Sequence, residues 1–159
     1  MKTRAEAVEI ARSFIGTPYV LGGRMKGAGV DCATLLGCYL IEIGTAQPDL
    51  WDGLEDPYRH DWFLHGSHER YLRGLVRFGV DGARSLCLCR ADSKAEPGDL
   101  VLFRVIQSKV FNHGAIVTSW PRGVHAGVDG VHEITLTTHR LTAFRPMEIF
   151  DPFAKMEPA

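Results

Sequence analysis

Apolar residues recur at helical spacing near the start of the chain, where Val8, Ala11, Phe14 and Ile15 fall on one face. Thr3 and Glu6 stand three apart ahead of that stripe, the spacing at which each side chain satisfies a free backbone donor at a helix start. Gly16 followed by Pro18 closes the pattern. Residues 16 to 31 (GTPYVLGGRMKGAGVD) hold five glycines and predict an irregular loop. Helical spacing returns from Cys32 to Ile43, with Leu35, Leu36, Tyr39, Leu40 and Ile43 inward and Gly44 as the stop. Asp31 is the natural N-cap, which places Cys32 in the first turn.

From about Thr45 to Ala95, Pro48, Gly53, Pro57 and many Trp, His and Asp residues predict loops, with a helix over about Ser67 to Phe78 that turns Leu72, Leu75 and Val76 inward. This stretch reads as an insertion within one domain spanning 1–159. After Pro97-Gly98-Asp99 the pattern changes. The runs LVLFRVI (100–106), HGAIVTS (113–119), GVHAGV (123–128), VHEITLT (131–137) and FRPMEIF (144–150) are short, β-branched and bounded by turn residues. Helices first and strands afterwards predict an α+β fold with an antiparallel sheet.

Composition narrows the function classes. A chain of 159 residues, 45% hydrophobic and 23% charged, is an ordinary globular domain. Lys and Arg total 18 against 19 Asp and Glu, a net charge of −1, so no basic excess points to nucleic acid or an anionic membrane. No apolar run approaches the roughly 18 residues of a spanning helix. The first residues carry a helix signal instead of an apolar secretory core, so the expectation is a protein cytoplasmic as synthesised. In that setting the four cysteines read as thiols.

Cys32 carries the first chemical signal. A thiol in the first turn of a helix feels the positive end of the macrodipole, which favours the nucleophilic thiolate. Nearby glycines admit a substrate backbone, and helix N-terminal amides suit an oxyanion. The plain alternative is a small buried hydrophobe. His113 opens a strand after Asn112, at a sheet edge where an imidazole can face a cleft or simply be structural. His125 lies twelve residues on, a separation that suits a hairpin, and adjacent antiparallel strands bring side chains within about 5 Å on one face. It is therefore placed to orient His113 as the third member of a triad.

These residues resemble a known family. Thr17-Pro18-Tyr19-Val20-Leu21-Gly22-Gly23 with Gly29-Val30-Asp31-Cys32 is similar to the nucleophile segment of the NlpC/P60 cysteine peptidases. Pro97-Gly98-Asp99-Leu100-Val101-Leu102-Phe103, Asn112-His113-Gly114-Ala115-Ile116-Val117 and Val124-His125-Ala126 resemble the following strand, the general-base segment and the third-residue segment, in the family's order. The resemblance implies a papain-like α+β fold, with a nucleophile at a helix N-terminus packed on a C-terminal antiparallel sheet. It implies hydrolysis of peptidoglycan stem peptides of the D-γ-glutamyl-diaminopimelate type, with Cys32 as nucleophile, His113 as base, His125 as orienting residue, and Tyr19 and Asp31 near substrate. Ala33-Thr34 replace the family's usual Ser-Gly, and 113 − 32 = 81 residues separate nucleophile from base. Those features look most like the phage-associated branch, which implies phage tail proteins as partners and delivery to the wall on a phage-like particle.

Other residues point less far. His60, His65, His68, His132 and His139 have no cysteine beside them in sequence and read as surface histidines, so no metal and no cofactor is expected. Cys87 and Cys89 would face opposite sides of a strand, and Cys38 falls on a different helix face from Cys32. Trp51, Trp62, Phe63 and Tyr71 suit anchors of the insertion better than a groove lining. Gly22-Gly23 and Gly27 lack the Lys-Ser/Thr ending of a phosphate loop. Three functions follow from the sequence: a wall-peptide hydrolase, an amidase or acyltransferase using the same triad, and a non-catalytic tail or wall-binding module.

Overall fold

The Thr3 hydroxyl accepts the Glu6 N–H at 3.3 Å and the Glu6 carboxylate accepts the Thr3 N–H at 2.8 Å, so the capping box predicted from sequence starts helix α1 (Arg4–Ser13). The structure, a computed structural model, describes residues 1–48, 61, 64, 69, 73, 74, 95–143 and 147–153. Ala7, Val8, Ala11 and Phe14 are buried as expected, but Ile15 is 45% exposed. The helix has ended by then, and Gly16 at φ 87° turns the chain so that Ile15 leaves the apolar face.

The glycine-rich segment contains a two-residue hairpin, β1 (Arg24–Met25) with β2 (Gly29–Val30), where the sequence predicts only a loop. Such short polar and glycine strands carry no periodicity. Gly29 is required by packing, since a Cβ there would sit 2.4 Å from a Val20 methyl. Helix α2 (Cys32–Glu42) follows directly, capped by Asp31 and closed by Ile43 and Gly44. Leu35, Leu36, Tyr39, Leu40 and Ile43 are all fully buried. Each large aliphatic there contributes about 1.5–3 kcal/mol, and truncating Leu36 to Ala would cost about 3 kcal/mol.

Five antiparallel strands make the sheet: β3 (Leu100–Phe103), β4 (His113–Ser119), β5 (Arg122–Gly127), β6 (Gly130–Thr135) and β7 (Met147–Phe150), in the order β6-β5-β4-β3-β7. The run expected over 100–106 stops at Phe103, because Ile106 and Gln107 adopt left-handed backbone (φ 55° and 56°) that no strand continues. Alternation along the strands splits the core. Leu100, Leu102, Ile116, Val124 and Val131 pack with α1 and α2, while Val101, Phe103, Ala115, Val117 and Ile149 form a second cluster with Leu136.

Two polar links fix the helices to the sheet. The buried Tyr39 hydroxyl donates to the Gly98 carbonyl at 2.8 Å. Arg4 donates to Asp99 at 2.8 Å and to Asp151 at 2.7 Å, joining α1 to the entrance of β3 and the exit of β7. Most of the 45–95 insertion, including the helix predicted near 67–78, lies outside the described residues. Among the described residues no helix is long and apolar enough to cross a membrane.

Candidate functional site

Asp31 organises the Cys32 side of the candidate site. It is 1% exposed; its Oδ1 accepts the Ala33 and Thr34 N–H groups at 2.9 Å, and its Oδ2 accepts the Gly22 N–H at 2.7 Å. Gly22 has φ 71°, a conformation a side chain would resist, and that conformation belongs to the turn holding its N–H on Asp31. Thr34 completes the cap, since its hydroxyl accepts the Asp31 N–H at 2.8 Å. The Ala33-Thr34 pair thus keeps a full capping box at the start of α2. One carboxylate thereby fixes both the glycine-rich loop and the helix end that carries Cys32.

Cys32 is half-buried, at the positive end of α2, with its Sγ 3.6 Å from the Asn112 carbonyl. Tyr19 bridges to Val30 just ahead of it and is also half-buried. Burial, then the nearby Cys32 and Asp31, push the Tyr19 hydroxyl well above its ordinary range, so it stays a neutral donor.

The histidine side is built by Asn112 and the first residue of β4. The Asn112 side chain accepts the Val105 N–H at 2.8 Å and donates to the Val105 carbonyl at 3.2 Å. This clamp closes the β3–β4 loop and delivers His113 opposite Phe103 in register. His113 Nε2 and His125 Nδ1 are 2.9 Å apart, with both residues buried and the rings near perpendicular. The two imidazoles meet diagonally, because His125 pairs with Ala115, two residues past His113 on the same face. Burial is the main cause that drives His113 down to about 3 and His125 to about 4, with neighbouring imidazoles adding to it. Both rings are therefore neutral at pH 7, the state a general base needs.

The short contact couples the tautomers of the two rings. With Nε2 of His113 engaged by His125, its Nδ1 is the nitrogen available to a thiol. If His113 donates from Nε2, His125 must carry its own proton on Nε2, so the pair fixes two tautomers at once. The structure brings Cys32, Tyr19, Asp31, His113 and His125 into one region. His132 is the cross-strand partner of His125, but it is exposed and lies 3.1 Å from the Asp129 carbonyl. His60, His65, His68, Cys87, Cys89, Trp51, Trp62, Phe63 and Tyr71 fall outside the described residues. Cys38 is buried against the Arg24 carbonyl at 3.5 Å, and burial raises its thiol to about 11, which leaves it inert. Among the described residues no three His, Cys, Asp or Glu side chains converge as metal ligands would.

Sequence reasoning passed over Asn112 and Thr34. The signal for Thr34 was present, as a hydroxyl three residues after an Asp N-cap. Asn112 has no such local mark, because its partner Val105 lies across a loop.

No protein-family profile and no curated protein sequence matches the chain. Solved structures do. The chain is similar to the NlpC/p60 domain of the peptidoglycan hydrolase SagA, with a TM-score of 0.59 and 18% identity over 94% of this chain and 99% of that one. It is also similar to an NlpC/P60 family protein from Bacillus cereus, with a TM-score of 0.61 and 16% identity over 96% of this chain but only 41% of that protein. The α+β, papain-like fold of NlpC/P60 domains is therefore the fold of this chain.

Proposed function

We propose that the chain is a cysteine peptidase of the NlpC/P60 family that hydrolyses stem peptides of bacterial peptidoglycan. The observation that carries this reading is the buried 2.9 Å His113–His125 pair beside a cysteine at a helix N-terminus. The SagA domain of similar fold belongs to a peptidoglycan hydrolase, which gives the substrate class. The four motif blocks support a D-γ-glutamyl-diaminopimelate type of bond, and Ala33-Thr34 with the long insertion support a phage-associated enzyme delivered to the wall on a tail-like particle.

The thiol proton passes to His113 Nδ1, and the thiolate attacks the amide carbonyl carbon. The resulting imidazolium keeps its Nε2–H on His125, which stays neutral as acceptor. His113 then protonates the leaving nitrogen as the C–N bond breaks, leaving a thioester. Water loses a proton to the same ring, adds to the thioester and releases the acid and the thiol. The Ala33 and Thr34 amides are committed to Asp31, so oxyanion stabilisation draws on the α2 dipole and not on those two donors. Tyr19 is the substrate contact in this reading, and Asp31 acts by shaping the loop that substrate crosses.

Digestion of purified peptidoglycan, with mass analysis of the released peptides, tests the proposal. Wild-type protein should release new peptide ends, and Cys32→Ala should lose roughly a thousandfold or more in rate without a change in melting temperature. Intact peptidoglycan after exposure to wild type, beside cleavage of a simple amide, would favour the amidase reading. No turnover of either, with binding retained, would favour a non-catalytic module.

A further inference from the structure

A third imidazole continues the line of the first two. The His139 ring lies 5.1 Å from the His125 ring, centroid to centroid, with the planes 70° apart, an edge-to-face contact. The same centroid spacing separates His125 from His113 on the other side. His139 comes from the turn after β6, so its contact with β5 is tertiary. It is anchored there: its Nδ1 accepts the Leu141 N–H at 3.3 Å, and Thr142 Oγ1 donates to the Leu136 carbonyl at 2.7 Å beside it.

Space is available for His125 to turn if nothing held it. His125 borders a cavity of about 610 Å³ whose walls include Ile106, Gln107, Ile134, His139 and Leu141. Its own strand offers little restraint on that side, since Gly127 has no side chain and a Cβ there would stand 3.4 Å from His125 Cε1. His132, the cross-strand partner of His125, is exposed and turned to Asp129. The opposite wall is set by the left-handed Ile106 and Gln107, a conformation that is costly for a β-branched residue.

We propose that His139 is a positioning residue for the reaction, an aromatic backstop that holds the His125 ring in the orientation its bond to His113 requires. The proposal rests on the peptidase reading for its role in turnover, while the contact itself stands on geometry. Its chemical basis is direction: a ring free to turn would present the Cδ2–H edge to His113 in place of Nδ1, and the tautomer relay would break. The edge-to-face contact between the His125 and His139 rings favours one ring orientation over the others.

The test uses two rates measured on the same variants: peptide release from peptidoglycan, and alkylation of Cys32 by iodoacetamide at mildly acidic pH, followed by peptide mapping. His139→Ala should lower kcat by about tenfold to a hundredfold with KM unchanged, and slow Cys32 alkylation in parallel. His139→Phe, which keeps a ring for the same contact, should restore both. His132→Ala, on the same sheet face, should change neither. If His139→Ala lowers the melting temperature, His139→Gln takes its place with the same loss expected. Wild-type rates in the ringless variants would overturn the proposal, and so would a folded His139→Phe as slow as His139→Ala. Absence of peptide release by wild type would sink the peptidase reading alone, because the alkylation series still reports on His139.

Discussion

Gly22 and Asp31 are joined by a 2.7 Å hydrogen bond from backbone N–H to carboxylate, which ties the glycine-rich loop to the start of the helix that carries Cys32. The other Asp31 oxygen holds two amides of the first helical turn, so one carboxylate serves both elements. Asp31→Asn separates the two duties. Its carbonyl oxygen still caps α2, but its amide group turns a donor toward the Gly22 N–H. We expect a small loss of stability, about 1 kcal/mol, together with a clear fall in turnover. Asp31→Ala should cost about 2 kcal/mol or more. Urea unfolding beside steady-state kinetics checks both, and equal stability losses in the two variants would count against the separation.

Arg4 predicts the reverse combination. Its guanidinium meets Asp99, Asp151 and Glu96, with side-chain exposures of 5%, 10% and 55%, and stacks 4.5 Å over the Phe153 ring. Arg4→Met keeps the apolar stem but leaves buried Asp99 without its cation, at a cost of about 3 kcal/mol. Once folded, the variant should alkylate at Cys32 as fast as wild type, because Arg4 lies outside the site.

Asn112 controls where His113 begins. Asn112→Asp keeps the acceptor for the Val105 N–H and loses the donor to the Val105 carbonyl, which leaves a buried acceptor unpaired at about 1–3 kcal/mol. The loop should then loosen and kcat fall, with KM nearly unchanged. Asn112→Gln reaches too far for the same clamp and should be no better. A variant that loses stability while kcat holds would show that His113 is placed by its strand alone.

Acid should weaken the fold through the histidine pair. Their imidazoles are held far below the ordinary 6.5 in the folded state, chiefly by burial, while the unfolded chain binds protons near 6.5. Their contribution is thus complete above about 6.5 and is lost as pH falls toward 4. The melting temperature of wild type should drop steeply over that interval. The double variant His113→Asn, His125→Asn should flatten the drop, and an unchanged slope would mean other groups govern acid unfolding.

Much of this architecture was legible because its causes are local. The Thr3–Glu6 box, the Leu35–Leu36–Tyr39–Leu40–Ile43 stripe and the Asp31 cap all act within one or two turns of helix, and the structure repeats them. The strand runs were bounded by turn residues, and the three from 113 to 137 emerged within two residues of their expected limits, while the run over 100–106 ended three residues early. What stayed hidden depends on distance along the chain. β7 pairs with β3 and not with its sequence neighbour β6, a choice no local pattern encodes. The same holds for Asn112 with Val105, and for His139, whose contact with His125 exists only once the turn after β6 folds back. Ile15 was misplaced for a smaller reason, a helix ending two residues before it.

The sheet order carries one more implication. His113 and His125 sit on neighbouring strands of a single hairpin, whereas the Cys32 sulfur reaches Asn112 across 80 residues of chain. The histidine half of the candidate site is thus one local unit, held by the Asn112 clamp, and the Cys32 half is another, held by the Asp31 cap. The stretch of chain from 43 to 99 connects α2 to β3. The cost of closing a connection grows only with the logarithm of its length, about 0.6 kcal/mol for each doubling. Insertions between the units can therefore accumulate and diversify while the chemistry at either end stays fixed.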